Sequence, residues 1–420
     1  MESGSSPTSG PCWAPGYGHR THATPPIGFR FRQSPEDFVV EELRHSEPET
    51  EGTHVWFEIE KRNLSTVEAT RRLGKALERK DSEFGFAGRK DSKAVTRQWM
   101  SLEHVEASAI EALEIPGLRV LRSRSHNHKL RVGQLIGNRF RLVLRDVSPA
   151  GFEEMQASLA TLAESGLPNY YGAQRFGRHG LTYRLGRAYV KGDYREYLLA
   201  LASAEHSASS PALDELHQTI AHGTKADQRR LSRLVPDLDS DLSQVARQLS
   251  RRPLDLGRAA RAIPKRSRQF HISALQSRVF NRVLSGRISD LECVRAGDVV
   301  FVHAKGAAFL ADDVAELAPR AAAFEVSPSG PIPGTSTLLA GGAQAELEAA
   351  ALAAEGLATE DFGKIGFGLD QRGARRPLRV PVTEVDLSFA EGVATLGFAL
   401  PKGCYATSVL EELRKDHIGG

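Results

Sequence analysis

The chain has 420 residues, with 55 Lys and Arg against 52 Asp and Glu and a formal charge of +3. That length exceeds one comfortable core and calls for two or three packed units, while the near-neutral charge excludes a global positive field, so any nucleic-acid site must be a local patch. The three cysteines, Cys12, Cys293 and Cys404, are far apart, with no Cys/His cluster at ligand spacing, which excludes a metal motif and fits a reducing compartment.

In chain order, residues 1–26 are rich in Ser, Gly, Pro and Thr and read as a disordered tail without the apolar centre of a signal peptide. His54 to Glu60 alternates, with Val55, Phe57 and Ile59 on one face, and predicts a half-buried strand. Ser65 and Glu68 form a capping box ahead of Ala69, Leu73, Ala76 and Leu77 at helical spacing. Arg139 to Arg145 alternates again, with Phe140, Leu142 and Leu144 toward a core and Arg139, Arg141 and Arg145 away from it.

Asp214 to Arg268 is helical in pattern and rich in Arg. From Ser273 to Leu284 the positions Leu275, Val279, Phe280, Val283 and Leu284 make one stripe, with Arg278, Asn281 and Arg282 facing away. Gly330 to Gly334 and Gly366 to Gly373 read as turn-rich breaks, and Ala343 to Ala354 as helix. Val393 to Leu400 reads as a last strand, stopped by Pro401-Lys-Gly403, before a short terminal helix. No internal repeat is present. No run approaches the ~18 to 20 apolar residues of a membrane span, so a soluble, cytoplasmic protein is expected.

The most informative segment is Phe84-Gly-Phe-Ala-Gly-Arg-Lys-Asp-Ser-Lys-Ala-Val-Thr-Arg-Gln98, where Asp91 stands among Arg89, Lys90, Lys93 and Arg97. Nearby cations favour an ionised carboxylate, suited to a nucleophile or an oriented base. On composition alone, a surface loop whose aspartate pairs with its neighbours is the commoner arrangement. Tyr170, Tyr171 and Phe176 among Asn169, Gln174 and Arg175 make the mixture that grips unstacked bases, or else an aromatic packing cluster. Gly172 to Arg178 mimics a phosphate loop but lacks the Lys-Ser/Thr ending, which excludes nucleotide hydrolysis by that route.

The order Phe86-Ala-Gly88, Lys90-Asp91, Ala94-Val-Thr96, Gln98 resembles the signature of the TruD pseudouridine synthases, which modify uridine in transfer RNA. Pro35 to Glu41, Lys129 to Gly133 with Gly137-Asn-Arg-Phe140, Gly166 to Gly177, Phe270 to Ala274 and Pro401 to Val409 resemble further blocks of that family in chain order. The likeness spans about Gly28 to Arg414.

The resemblance implies an α/β fold of the α+β type. A pseudouridine-synthase catalytic domain, with a mixed, largely antiparallel sheet flanked by helices, occupies 27–179 and 374–420. An inserted α/β TRUD domain fills 180–373. It implies Asp91 as the catalytic carboxylate and a flipped-out target base received by Phe38, Asn138 and Phe140, with Lys90 and Arg32 orienting the site. Arg32 stands where members can carry a lysine, and the two are not equivalent donors. Phe140 shares parity with Leu142 and Leu144, so core packing also accounts for it.

The implied substrate is a transfer RNA, at uridine 13 of the D-arm. Cofactor, metal, membrane and obligate protein partner are not expected, because the isomerisation has no net redox change or group transfer. Arg139, Arg141, Arg175, Arg278 and Arg282 are the candidates for the RNA backbone. A non-catalytic RNA-binding protein would not need Asp91, and a nucleoside glycosylase or hydrolase would release free uracil.

Overall fold

A computed structural model describes residues 11–416 apart from 15, 45–50, 91, 178, 205–209, 239, 252, 367 and 370. The chain forms two compact units. One comprises 20–167 and 380–416, the other 11–19 and 168–379. The chain passes from one unit to the other at 19/20, 167/168 and 379/380.

The expected tail does not extend over 11–26. Trp13 is buried and stacks on Phe176 at 5.4 Å, and Tyr17 stacks on Tyr170 at 4.1 Å. Thr21 donates its backbone N–H and its hydroxyl to the Glu412 carboxylate. Two large rings supply the apolar area that the Ser/Gly/Pro average conceals.

The first unit is built on an eight-stranded sheet. Its strands are β1 (Phe38–Leu43), β2 (His54–Arg62), β3 (Gly85–Phe86), β4 (Val95–Glu103), β5 (Leu118–His126), β6 (Gly137–Arg145), β7 (Thr383–Ala390) and β8 (Val393–Pro401). They run in the order β7-β8-β6-β1-β4-β2-β5, with β3 on β4. Only β1 and β4 pair in parallel; the other pairings are antiparallel. The sheet is thus mixed and largely antiparallel.

Helix α1 (Thr66–Ala76) starts at Ser65, whose hydroxyl accepts from Glu68 N at 3.1 Å. The expected reciprocal bond is replaced: the Glu68 carboxylate pairs with Arg71 and Arg72, which holds its pKa down at about 2. Ala69 and Leu73 pack on Phe57, Ile59 and Met100. The other face of β2 is not open to water either, because Trp56 packs with Ala87, Trp99, Leu130 and Leu135. Helix α2 (Pro149–Ser165) covers the β7 end of the sheet, with Phe152 stacked on Phe389 at 4.8 Å. A Cβ at Gly137 would lie 2.2 Å from Leu400 O, so glycine is required where β6 meets β8.

In the second unit the helix Lys265–Gly286 runs through the core, and Leu275, Val279, Phe280, Val283 and Leu284 are fully buried as expected. Its other face is buried too: Arg278 is 9% exposed and Asn281 is 0%. A four-stranded sheet accompanies it, in the order Ala374–Pro377, Val326–Ile332, Val299–Val302, Ala308–Leu310. The expected break at Gly330 to Gly334 is instead largely strand. A Cβ at Gly330 would press on Phe280 and Leu378 at 3.0 Å, so that glycine serves close packing and not a turn. No helix among the described residues is long and apolar enough to cross a membrane.

Candidate active site

The site grows from the start of β1. Before it, a 3-10 turn at Pro35–Asp37 is locked by the buried Asp37 carboxylate, which accepts from Gln33 N at 2.9 Å, Ser34 N at 3.1 Å and Arg145 Nη2 at 2.7 Å. The Arg145 bond is the main reason the Asp37 carboxyl sits below its usual range. This lock sets the parity of β1. Phe38, Val40 and Glu42 point one way, opposite Leu142, Phe140 and Asn138 of β6.

Phe38 and Phe140 are therefore brought together, with ring centroids 6.3 Å apart and planes at 59°. Phe140 also lies 5.3 Å from Phe398, and both Phe38 and Phe140 are more than nine-tenths buried. Arg32 has a left-handed backbone (φ 57°) and carries its guanidinium 4.2 Å from the Phe38 ring centroid. Such a cation–π contact is worth about 0.5–2 kcal/mol and also fixes the guanidinium plane. Asn138 faces Glu42 across the strand pair. Its Oδ1 is buried and accepts no hydrogen bond among the described residues, a deficit that commonly marks a functional position.

Lys90 is also placed here. Its Nζ donates to Glu42 Oε2 at 2.6 Å, with side chains 5% and 0% exposed, and its backbone N–H donates to Thr66 Oγ1 at 2.9 Å. Burial pushes the Glu42 carboxyl up, opposed by the Lys90 charge. Thr66 in turn donates to Gln98 Oε1 at 2.8 Å. Asp91 lies outside the described residues. Of the other cations around it in sequence, Arg89 and Lys93 are exposed, and Arg97 is committed to Glu41 at 2.5 Å and Glu60 at 2.9 Å.

Sequence reasoning missed Glu42. The signal was present, since a carboxylate at the parity of Phe38 and Val40 is an anomaly on a core face.

The arginines divide differently from expectation. Arg139 and Arg141 are exposed, but on the opposite face of the sheet from Asn138 and Phe140, so the strand does not bring the two groups together. Arg139 pairs with Glu384 at 2.6 Å. In the second unit Arg175 is half-buried, donates to Ser277 Oγ at 3.1 Å and lies 5.5 Å from the Tyr171 centroid and 5.9 Å from that of the exposed Phe270.

Arg278 and Arg282 do not face outward as expected. Both donate to the buried Glu355, at 2.6 and 3.3 Å, because a buried carboxylate requires charge compensation. Arg278 further stacks on Tyr183 at 4.0 Å. Asn281 exchanges two bonds of 2.9 Å with the Tyr171 backbone, tying the Tyr-Tyr-Gly segment to the central helix. Among the described residues no group of three or more His, Cys, Asp or Glu is arranged to hold a metal ion.

The family described as "tRNA pseudouridine synthase D (TruD)" matches residues 16–413. A tRNA pseudouridine synthase D of Geobacter metallireducens is 38% identical over 395 residues, covering 94% of this chain and 97% of its own. Its counterpart from Geobacter sulfurreducens is 39% identical over 399 residues, covering 94% and 96%. A crystal structure from Methanosarcina mazei carrying the same family label superposes with a TM-score of 0.78 at 26% identity, over 96% of each chain. A match that runs through both units, together with the pairing of Phe38, Asn138 and Phe140 on one sheet face, leads to one conclusion: the chain belongs to the TruD family of pseudouridine synthases.

Proposed function

We propose that the protein converts a uridine of transfer RNA to pseudouridine, at uridine 13 of the D-arm, with Asp91 as the catalytic carboxylate. In the reaction the C1′–N1 bond breaks, the uracil turns, and C1′ joins C5. C5 gives up a proton and N1 gains one, so atoms and electrons balance without an external oxidant or group donor. Asp91 acts at the sugar or the base, as nucleophile or as the base that removes a ribose proton.

The observation that carries the proposal is the buried Asn138 Oδ1, without a partner among the described residues and on the same sheet face as two tilted phenylalanine rings, within a family match spanning nearly the whole chain. Uracil offers N3–H to such an acceptor and a flat face to such rings. Extruding the base from its stack costs a few kcal/mol, which these contacts offset. Arg32, stacked on Phe38, and Lys90, held by Glu42, orient the surroundings.

Phosphate contacts near the target fall to the exposed Arg89 and Lys93, which flank the aspartate, and Arg175 is a further candidate for the RNA backbone on the second unit. Arg278 and Arg282 act through the helix that carries Ser277, the partner of Arg175. Arg139 and Arg141 serve a more distant part of the RNA. A cytoplasmic location follows from that substrate.

Nucleoside analysis of transfer RNA before and after incubation tests the chemistry. One pseudouridine per molecule with unchanged RNA mass supports it. Free uracil would instead identify a glycosylase.

A further inference from the structure

The motif residue Gln98 and the helix residue Thr66 have no role in the reaction as set out so far, yet both sit at the root of the Asp91 loop. We infer that Thr66 and Gln98 are positioning residues, a directional hydrogen-bond relay that holds this loop at the backbone of Lys90. The inference rests on the proposed role of Asp91.

Between β3 and β4 the described residues 87–90 and 92–94 have no regular secondary structure, so no ladder bonds fix them. Lys90 supplies two anchors: its ammonium on Glu42 and its N–H on Thr66 Oγ1. The second is a hydroxyl that could rotate. It does not, because its single proton is taken by Gln98 Oε1, and this turns a lone pair toward the Lys90 N–H. Thr66 is 1% exposed and Gln98 0%, so water does not compete.

Neither side chain is needed elsewhere. The cap of α1 is made by Ser65, which leaves the Thr66 hydroxyl free for the loop. Gln98 Nε2 and the neighbouring Thr96 Oγ1 are both buried without a partner among the described residues. Leaving an amide half-satisfied costs about 1–3 kcal/mol, a cost that a purely structural site would shed by substituting an apolar residue. Retaining it for its oxygen alone points to the relay. A misplacement of a reacting group by about 1 Å costs on the order of 100-fold in rate.

The test compares Thr66→Val and Gln98→Leu, each nearly isosteric and lacking the relay group, with Thr66→Ser, which keeps the hydroxyl. Single-turnover pseudouridine formation and KM are measured beside amide hydrogen exchange of the peptide spanning 84–98. The expected result is a 10- to 100-fold loss of rate in Thr66→Val and Gln98→Leu with KM changed less than about threefold, faster exchange in the loop alone, and recovery of both in Thr66→Ser. Unchanged loop exchange, or a rate loss that only tracks global unfolding, overturns the inference. Exchange reports on the relay even if wild-type protein makes no pseudouridine, in which case the functional proposal fails and the relay is judged by exchange alone.

Discussion

Replacing Glu42 by Gln tests whether the Lys90 anchor is an ion pair buried for position rather than for stability. At 2.6 Å, with an effective dielectric near 20, the gross attraction is about 6 kcal/mol. Burying both charges costs several kcal/mol per ion, so the net worth of the pair is small. Removing one partner is different. Glu42→Gln leaves the Lys90 ammonium buried without its counter-charge, and such changes cost about 3–5 kcal/mol. The ordinary reserve of a folded chain is about 5–15 kcal/mol, so such a loss is a large fraction of it.

Glu42→Gln with Lys90→Met removes both charges and should recover most of the loss, while pseudouridine formation stays impaired. The assay is urea denaturation of the three proteins, followed by hydrogen exchange in peptides covering β1 and β4 so that the two units are scored apart. A Glu42→Gln loss below about 1 kcal/mol, or a double variant no more stable than the single, would refute the reasoning.

Two further predictions follow from the same geometry. Burial lowers the pKa of His271 to about 4, with its Nδ1 against the Tyr197 hydroxyl at 3.0 Å. The unfolded chain takes up that proton below about pH 6.5 and the folded one only near 4, so stability present above 6.5 is lost as pH falls through this window, by up to about 3 kcal/mol. His271→Gln should flatten the acid limb of denaturation midpoints measured against pH; parallel curves for both proteins would contradict the assignment. For RNA, Arg89→Gln with Lys93→Gln should reduce the salt slope of transfer-RNA affinity by about 2, and Arg141→Gln should change it by less than half as much per charge. Equal slopes per charge would place the backbone on both faces of the sheet.

Much of the fold was legible from periodicity. The alternation in β2, β6 and β8 and the stripes of α1 and the central helix of the second unit are strong local signals, and each appears where the pattern puts it. What periodicity could not show was which second faces are also covered. Trp56, Arg278 and Asn281 all read as outward positions, and all are buried because another element packs there. Trp13 and Tyr17 were hidden by composition averaging, and Gly330 by the habit of reading glycine and proline as a turn. In the site, Phe38, Asn138 and Phe140 come together through register, which the motif order alone does not state. Glu42 lies 49 residues before Asp91 in sequence and joins its surroundings only in three dimensions, through the Lys90 ammonium that it holds.

The proposed chemistry turns on Asp91. The most direct measurement incubates transfer RNA from a strain lacking this protein with wild-type or Asp91→Asn protein and maps pseudouridine by carbodiimide-blocked primer extension. A stop at uridine 13 with wild type and none with Asp91→Asn is the predicted result. Equal stops with both proteins, or none with either while a control synthase is active, would contradict it.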